Sequence, residues 1–517
     1  MPASAPFALT LPQQVAQGAV AHPQAWAMHA PAYSWRWAEL AERILHATRA
    51  LAALGVRAGD RIVIVSENSA ATVVLLIAAQ TLQAWPAVLN ARLPAAELRR
   101  MAECADPRWL LFSLEDSPDV AAHSQRLGAR PLPVEGLSAI SACGFHLDAL
   151  PEPEPHDIAL LMFTSGTSGQ PKAVMVPHDG LINMGRVVGN ARGTTAGDTI
   201  DVAAPLSHAM GLSSMVPALL FGAAMRLRPR VAPGELAHAI ARGSVQQASM
   251  VPAGWARLLD QIERERIDLS GHALRTLVAG GAPLDPALKA RVQQVFGRPM
   301  VNAYGMTECA PLSRTRAALD VAPWSVGAPE ATVEVRIVDA REQPVAPGEV
   351  GEIQARGPGV MRGYYRNEAA TREVIREGGW YATGDLGRWL PDGDLAVVGR
   401  RKEMIIRSGF NVYPAEVEAA IATHPAVLQA AVIGRPAGLG DEAVLAFVEL
   451  RAGHSAGGAT REALADHVRS QLAAYKCPAH YVFVDAMPMG PTGKVLKREL
   501  ALREDAKPTL EQEGAKA

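Results

Sequence analysis

A loop rich in glycine and hydroxyl groups is the first segment whose residue types suggest chemistry. Residues 164–172 read Thr-Ser-Gly-Thr-Ser-Gly-Gln-Pro-Lys and directly follow the apolar segment 158–163. Two glycines let the backbone turn and expose its N–H groups, and hydroxyls and one ammonium surround that turn. This is the chemistry of an anion-binding cradle. A Gly/Ser linker is the plain alternative, but a second apolar segment, 173–176, follows, so the pattern favours phosphate binding.

Two other interpretations of this loop are weaker. In the common P-loop, Gly-Lys is followed by Ser or Thr, whereas here Pro171 precedes Lys172 and Ala173 follows it. Ser168 and Lys172 could instead form a nucleophilic pair of a hydrolase. No Gly-x-Ser-x-Gly segment surrounds the serine, and the other motifs supply no acyl-transfer partners.

The composition is that of a globular protein and excludes several classes. The 517 residues are 49% hydrophobic and 20% charged, with 50 basic and 52 acidic side chains and a net charge of −2. This balance argues against disorder and against a nucleic-acid binder. The four cysteines lie far apart with no C-x-x-C pair, which indicates neither a zinc site nor a disulfide framework. The most apolar segment, 70–79, is far shorter than the ~20 residues of a membrane span, and the first residues do not resemble a secretory signal. We therefore expect a cytoplasmic enzyme.

The elements that must position the loop have an α/β pattern. Apolar residues at alternating steps of four and three predict a helix over 40–54, and the β-branched run 62–65 predicts a buried strand. Asn68 or Ser69 could cap the following helix. Similar strands are predicted at 199–204 and 275–279. The sequence thus predicts layered α/β structure in the N-terminal part.

The pattern changes after about residue 321. Short strands at 332–338, 351–355 and 394–398 alternate with Gly, Pro and Asp turns, which indicates a β-rich subdomain. Beyond the charged segment at 399–403 the α/β pattern resumes. We expect helices near 415–423 and 461–472, with strands near 427–433 and 443–450 between them. The charge run could be only a solvated turn, but we place a domain boundary there, giving domains 1–401 and 402–517.

Four further motifs follow the loop in order. They read Asn-Ala-Tyr-Gly-Met-Thr-Glu at 302–308, Tyr-Ala-Thr-Gly-Asp-Leu-Gly at 381–387, Gly-Arg-Arg-Lys-Glu-Met-Ile-Ile-Arg-Ser-Gly at 399–409 and Pro-Thr-Gly-Lys at 491–494. Each alone is weak evidence, because a single Tyr, Glu or Asp is more often a core, surface or turn residue. With the loop, in this order and spacing, the chain resembles the AMP-forming acyl-CoA synthetase family of adenylate-forming enzymes, from about residue 30 to residue 500.

The resemblance implies an α/β protein with a large N-terminal domain, built of layered α/β subdomains and a β-rich subdomain, and a small mobile α+β C-terminal domain. It also implies an ATP site. The loop would wrap the β- and γ-phosphates, the ring of Tyr304 would stack on adenine, and Asn302 would reach the purine edge. Asp385 would accept both ribose hydroxyls, and Arg400 would contact the ribose. The residues so assigned are Thr164, Ser165, Gly166, Thr167, Ser168, Gly169, Lys172, Gly281, Ala282, Asn302, Ala303, Tyr304, Gly305, Asp385 and Arg400.

Catalytic roles follow from the same resemblance. Lys494 would place its ammonium between the substrate carboxylate and the α-phosphate and offset the charge that develops there. Glu308 would hold Mg²⁺, which prefers hard oxygen ligands, and Thr167 is its expected second contact. Thr307 would contact phosphate. His208, which ends Pro-Leu-Ser-His, would gate the carboxylate side of the acid pocket.

The second half-reaction, with coenzyme A, requires the lysine to leave. The family rotates its C-terminal domain about a hinge, to which Lys402 corresponds. Gly409 corresponds to a glycine that lines the pantetheine tunnel. Many relatives have a second glycine there, whereas this chain has Phe410, so the sequence does not define the residues of the tunnel wall. Lys476 could contact coenzyme A phosphates.

The acid itself is predicted only by class. The expected pocket is apolar and contains flexible methionine, which suits a medium-chain, alicyclic or aromatic acid. A fatty acid or small dicarboxylic acid is the alternative, and for a diacid Arg257 or Arg314 could supply a cation. The expected pocket residues are His208, Met210, Met250, Gly280 and Cys309.

Three activities remain in competition. The first is an acid–CoA ligase that uses ATP, Mg²⁺ and coenzyme A. The second is an adenylating enzyme that delivers its product to a carrier-protein thiol. The third is a non-catalytic nucleotide-binding relative, against which the intact Lys494, Glu308 and Asp385 argue. The expected partners are a small-molecule carboxylic acid and a second copy in a homodimer, with no nucleic acid and no membrane span.

Overall fold

The computed structural model describes most of the chain. The described residues are 9–31, 33–115, 117–137, 139–154, 156–164, 170–230, 232–318, 322, 324–408, 410–438, 441–451, 453–490 and 495–503. Five of the predicted loop residues, Ser165 to Gly169, lie outside them, as do Gly409, Lys494 and the polar tail after residue 503.

Helices and strands alternate through the first 300 residues, and strands dominate from there to residue 400. The helices are α1 Leu11–Ala21, α2 Trp37–Ala53, α3 Ala70–Thr81, α4 Ala95–Ala105, α5 Pro118–Arg126, α6 His178–Arg192, α7 Ala209–Phe221, α8 Pro233–Ala241, α9 Pro252–Glu265, α10 Pro286–Phe296, α11 Glu368–Val374, α12 Pro414–Ala422, α13 Gly458–Arg469 and α14 Lys497–Ala501. The strands are β1 Trp26–His29, β2 Ser34–Arg36, β3 Arg61–Ser66, β4 Trp85–Asn90, β5 Trp109–Ser113, β6 Arg130–Pro131, β7 Ile140–Gly144, β8 Ile158–Thr164, β9 Lys172–Pro177, β10 Thr199–Val202, β11 Ala224–Leu227, β12 Gln247–Met250, β13 Thr276–Gly280, β14 Met300–Met306, β15 Cys309–Arg314, β16 Ser325–Pro329, β17 Glu334–Val338, β18 Gly351–Arg356, β19 Tyr381–Trp389, β20 Leu395–Arg400, β21 Ile405–Arg407, β22 Phe410–Val412, β23 Val427–Gly438, β24 Asp441–Leu450 and β25 His480–Val484.

A seven-stranded sheet carries the ends of the glycine-rich loop. Its order is β6-β7-β5-β3-β4-β8-β9. The central strands β3, β4 and β5 are parallel, and β3 and β4 are buried along their whole length, which explains their continuous apolar sequence. At the edge β8 pairs with β9 antiparallel, and Thr164 lies opposite Lys172. The two ends of the loop are therefore fixed side by side.

A thirteen-stranded sheet positions most of the other motifs. Its order is β17-β18-β19-β20-β16-β15-β14-β13-β12-β10-β11-β1-β2. The strands from β1 and β11 through β14 are parallel, as α/β crossovers require, and from β14 to β17 the pairing is antiparallel. This change of direction brings the motif that begins on β14 towards the motif at 381–387, on β19, and towards Gly399 and Arg400 at the end of β20.

The small C-terminal domain has its own core. A three-stranded sheet, β23-β24-β25, packs with α12 and α13 around buried residues such as Val417, Val432 and Leu464. The 3₁₀ turn Arg401–Glu403 precedes it. The predicted fold class, a large α/β N-terminal domain with a small α+β C-terminal domain, is confirmed by this architecture.

The predicted elements are present with shifted ends. The helix predicted at 40–54 spans Trp37–Ala53, and the strand predicted at 62–65 spans Arg61–Ser66. Of the two candidate caps, Ser69 caps α3 by accepting the N–H of Thr72 at 3.1 Å. The side chain of Asn68 instead crosses to the backbone of Val202, Ala204 and Leu206. Local sequence could not show this, because those partners are more than 130 residues away.

Candidate active site

A long cleft runs along the carboxyl ends of the parallel strands of the large sheet and continues between the two domains. Gly280 ends β13, and Ala303 lies beside it on β14. Ligands of open α/β sheets bind at this edge. The predicted site residues on its wall are Thr164, Lys172, His208, Met210, Gly280, Gly281, Ala282, Asn302, Ala303, Tyr304, Gly305, Thr307, Glu308, Asp385, Arg400, Lys402 and Lys476.

Asp385 lies at the centre of one hydrogen-bonded group. Its carboxylate accepts the phenol of Tyr304 at 2.7 Å and pairs with Nε of Arg400 at 3.2 Å. Arg400 is the register partner of Asp385 on the next strand. The backbone N–H of Asp385 donates to Oγ1 of Thr383 at 3.0 Å. Gly384, at φ +73°, allows the tight turn of the strand just before it. The carboxylate is thus held by Tyr304 and Arg400, and the backbone of Asp385 is held by Thr383, at the cleft wall.

Burial and the Asp385 carboxylate raise the pKa of Tyr304 well above its ordinary value. The phenol therefore stays protonated and donates to the Asp385 carboxylate at neutral pH. The role predicted for Asp385, acceptance of both ribose hydroxyls, stays a prediction.

Glu308 and Lys172 both contact the side chain of Tyr364. The phenol of Tyr364 donates to Oε1 of Glu308 at 3.0 Å, and Nζ of Lys172 lies 4.6 Å from the centre of the Tyr364 ring. Tyr364 also forms an antiparallel β-bridge with Val174 of β9, and this bridge joins the segment after β18 to the seven-stranded sheet. Burial first, and Glu308 second, raise the pKa of Tyr364. The Tyr364 side chain thus holds a carboxylate at its hydroxyl and a cation over its ring, next to the loop.

The expected acyl pocket is partly present. A Cβ on Gly280 would lie 2.8 Å from the carbonyl oxygen of Ala303 and 3.1 Å from Cε of Met210, and Gly281 has φ +76°. Only glycine fits here without a shift. His208 precedes α7 and lines the same wall. These residues border the cleft beside β13 and β14.

Met250 and Cys309 do not line the cleft, contrary to the sequence-based expectation. They are 3% and 0% exposed and pack in the cores on either side of the sheet. Burial raises the pKa of the Cys309 thiol to about 12, which makes it an inert core residue. The sequence could not separate these neighbours of pocket residues from the pocket itself, because the face of a residue depends on sheet packing.

Three other predicted residues have partners in the structure. The amide nitrogen of Asn302 donates to the carbonyl of Ser325 at 3.1 Å, which leaves its oxygen and its second N–H for a ligand. Lys476 pairs with Glu416 at 2.7 Å. The ring of Phe410 is 54% exposed and stacks on Tyr475 at 4.7 Å.

Two cleft residues were missed by the sequence analysis. Tyr364 lies in Arg-Gly-Tyr-Tyr-Arg, a turn flanked by arginines, and this unusual composition was the available signal. Arg192 ends α6 and also lines the cleft. No local signal distinguishes it, because an arginine in the last turn of a helix is common.

Comparison with known proteins identifies the class. The model of the AMP-binding enzyme family matches residues 15–365, and that of the AMP-binding enzyme C-terminal domain matches residues 416–494. The chain belongs to the AMP-binding enzyme family. The resemblance inferred from the motifs is thereby confirmed, and with it the reaction class, an AMP-forming acid–thiol ligase.

Relatives of nearly full length share this class. A feruloyl-CoA synthase from Amycolatopsis is 35% identical over 93% of this chain and 96% of its own. A 2-succinylbenzoate–CoA ligase from Geobacillus kaustophilus is 34% identical over 95% of this chain and 97% of its own. Among solved structures, ATP-bound MatB from Rhodopseudomonas palustris superposes with a TM-score of 0.82 at 27% identity, covering 95% and 98% of the two chains. An o-succinylbenzoate CoA synthetase from Bacillus subtilis with its acyl-adenylate gives 0.79 at 28%, covering 96% and 98%.

ATP and coenzyme A are the co-substrates of this class of ligase. Small organic acids are the substrates that match the relatives. In the described part of the chain, every helix is too short or too polar to cross a membrane.

Proposed function

We propose that this enzyme joins an organic acid to AMP, with release of pyrophosphate, and then transfers the acyl group to the thiol of coenzyme A. In the first step a carboxylate oxygen of the acid bonds to the α-phosphorus and pyrophosphate leaves. In the second step the thiol sulfur bonds to the acyl carbon, AMP leaves, and the thiol proton passes to solvent. The hydrogen-bonded group of Tyr304, Asp385 and Arg400 beside the glycine-lined pocket carries this proposal.

The nucleotide would lie along the cleft with its ribose at Asp385. The carboxylate accepts both ribose hydroxyls, and Arg400, already paired with it, borders the same position. The Tyr304 ring and the backbone of Gly281 and Ala282 would enclose the adenine. Lys172, at the end of the loop, brings a cation to the phosphates.

Mg²⁺ fits this site as a companion of the triphosphate. The described residues contain no group of three His, Cys, Asp or Glu side chains that could hold a metal by themselves. Mg²⁺ commonly uses one or two carboxylates and completes its shell with phosphate oxygens and water. Glu308, held by Tyr364, would supply that carboxylate. Thr307 directly precedes it in sequence, and Thr167 of the glycine-rich loop is the second proposed contact. The bound ion would neutralise phosphate charge during adenylation.

The two half-reactions would use two orientations of the small domain. We propose the boundary between 401 and 402, within the 3₁₀ turn Arg401–Glu403, with Lys402 as the hinge. In one orientation Lys494 would enter the cleft for adenylation, and in the other the face bearing Gly409 and Phe410 would admit coenzyme A. The stacked, exposed Phe410 and the paired Lys476 belong to that face.

Coenzyme A is the proposed thiol acceptor, because the relatives of nearly full length bear names of CoA ligases. The proposed acid is an apolar one of medium-chain, alicyclic or aromatic type. Met184, Val188 and Met210 give the pocket an apolar wall, and the names of these two relatives point to aromatic acids. Delivery to a carrier-protein thiol is the second candidate.

Pyrophosphate release across a panel of acids, with and without coenzyme A, tests the proposal. We expect acid-dependent pyrophosphate release, acyl-AMP that hydroxylamine can trap without coenzyme A, and acyl-CoA with it. Acyl-AMP that reacts only with a phosphopantetheinylated carrier protein would support the second candidate. Failure of every acid to release pyrophosphate would refute both.

The cell compartment and the assembly state are also proposals. The cysteines are free in the structure, which suits a reducing cytoplasm. We infer a homodimer for the enzyme in solution, and light scattering coupled to gel filtration would test it by mass.

A further inference from the structure

One face of helix α6 forms part of the acyl wall of the cleft. Met184, Val188 and Arg192 are spaced four residues apart and therefore lie along one face. All three line the cleft. Side chains of a helix lean towards its N-terminus, so the Arg192 side chain leans back along the apolar surface of Val188. A guanidinium thus ends an otherwise apolar wall.

The fold does not need this guanidinium where it is. A cation near the end of a helix normally satisfies the last carbonyl groups, but Arg275 already does so for α6. Its Nη1 donates to the carbonyl of Arg192 at 3.1 Å, and its Nη2 donates to that of Gly193 at 3.0 Å. Arg275 is in turn paired with Asp198. The helix end is therefore completed without the side chain of Arg192.

Arg192 itself has an unused donor. Its Nη1 is shut off from solvent and has no hydrogen-bond partner among the described residues. A buried charged donor without an acceptor is costly, and such a group in a native protein calls for an explanation, of which a role in binding or catalysis is one. The exposed Arg186, on the same helix, faces solvent instead.

A second arginine stands close to the first. Arg314 ends β15, against which α6 packs, and lines the same cleft. Burial first, and the charge of Arg314 second, lower the pKa of Arg192 to about 10, so Arg192 is still charged at neutral pH. The only carboxylate that the described residues bring to this pair is Glu330, whose Oε1 lies 2.9 Å from Nε of Arg314. Two cations and one anion leave an excess of one positive charge.

We propose that Arg192, supported by Arg314, binds a second carboxylate at the far end of the acid substrate. This inference rests on the proposed ligase function but replaces the apolar monoacid by an acid with an apolar middle and a carboxylate at each end. A planar guanidinium with free donors can bind a carboxylate through two parallel hydrogen bonds. The apolar faces of Met184 and Val188 would contact the middle of the molecule.

The sheet register indicates the length of such an acid. Arg314 is the register partner of Ala303, which is the register partner of Gly280, a glycine of the expected acyl pocket. Two strand spacings separate Gly280 from Arg314, about 10 Å. Suberate and 4-carboxycinnamate have about this span, and octanoate and 4-methylcinnamate are monoacids of the same length. These two pairs are the probes for the test.

The test compares kcat/KM for each diacid with that of its matched monoacid, measured by acid-dependent pyrophosphate release. In the wild-type enzyme at least one diacid should exceed its partner by about tenfold or more. Arg192→Met should lower kcat/KM for that diacid roughly 30-fold or more, the usual effect of removing one member of a buried charge pair, and should leave or raise the value for the monoacid. Arg192→Lys should recover part of the loss. Arg186→Met, the same change on the exposed side of α6, should alter neither value.

Three results would overturn the inference. The first is a wild-type preference for both monoacids. The second is an equal loss on both members of a pair in Arg192→Met, which would show a purely structural role. The third is an undiminished diacid preference in that variant. Each of these requires turnover of some acid, so each is distinct from a failure of the ligase proposal, in which no acid releases pyrophosphate.

Discussion

The phenol of Tyr304 donates a 2.7 Å hydrogen bond to the carboxylate of Asp385, although the two residues are 81 positions apart in the chain. Tyr304 lies on β14, the last strand of the parallel half of the large sheet, and Asp385 lies on β19 in the antiparallel half. The bond therefore fixes the proposed ribose acceptor relative to the proposed adenine site.

Removal of this bond should weaken nucleotide binding. We expect Tyr304→Phe to raise the KM for ATP about tenfold, since a hydrogen bond to a charged group contributes about 1.5–3 kcal/mol, with little change in the KM for the acid. Tyr481→Phe is the matched control, because its buried hydroxyl has no partner among the described residues. Equal KM values for ATP in Tyr304→Phe and wild type would contradict the ribose-site assignment.

The neighbouring tyrosines 364 and 365 allow a second comparison. Tyr364→Phe frees Glu308 and should lower the adenylation rate roughly tenfold and raise the Mg²⁺ concentration needed for half-maximal rate. Tyr365→Phe removes a hydrogen bond to Glu152 instead, away from the proposed metal ligand. The two variants should differ in a Mg²⁺ titration at saturating ATP. A shift of the same size in both would remove the case for Glu308 as the metal ligand.

Lys494 should matter for only one half-reaction. Lys494→Ala should lower adenylation by about 100-fold or more, as loss of a charge-stabilising donor does in other active sites, while thioester formation from supplied acyl-AMP is largely kept. Pyrophosphate release and acyl-CoA formation are measured separately. A comparable loss in both would show that the lysine is not specific to the first step.

A substitution at the proposed hinge should have the opposite effect: it should impair thioester formation and leave adenylation intact. Lys402→Pro fixes φ near −65° and removes a backbone N–H, so it should restrict rotation of the small domain. Adenylation should remain near the wild-type rate, while acyl transfer to coenzyme A should fall by orders of magnitude. Lys402→Ala is the control for the side chain. Full turnover by the proline variant would place the hinge elsewhere.

A methyl group at Gly280 should narrow the acid pocket. Its Cβ would lie 2.8 Å from the carbonyl oxygen of Ala303 and 3.1 Å from the flexible end of Met210, so the backbone must shift. We expect Gly280→Ala to raise KM for bulky aromatic acids by about tenfold, a cost of roughly 1.4 kcal/mol, and short-chain acids to be less affected. Gly197→Ala, in open space at an ordinary φ, is the control. Unchanged selectivity would exclude Gly280 from the pocket.

The sequence determined the family, the reaction class and the order of elements. The five motifs are local, and each carries its residue types at fixed spacing, so the glycine-rich loop and the segments that contain Asp385 and Arg400 could be found without coordinates. The buried strand at β3 was also readable, because a parallel strand covered on both faces must be apolar throughout. The ends of the strands could not be predicted in this way. Strand β23 extends to Gly438, beyond the predicted end at 433, because β24 pairs with it along its whole length.

Tertiary structure alone decided which side chains face the cleft. Met250 and Cys309 stand next to pocket residues in sequence but turn into the cores, and Tyr364 reaches Glu308 from 56 positions away. The Arg192 site depends on one helix face meeting the end of β15 while Arg275 takes over the helix terminus. Such an arrangement is a balance of long-range contacts, burial and competing hydrogen-bond partners, and no local sequence pattern records it.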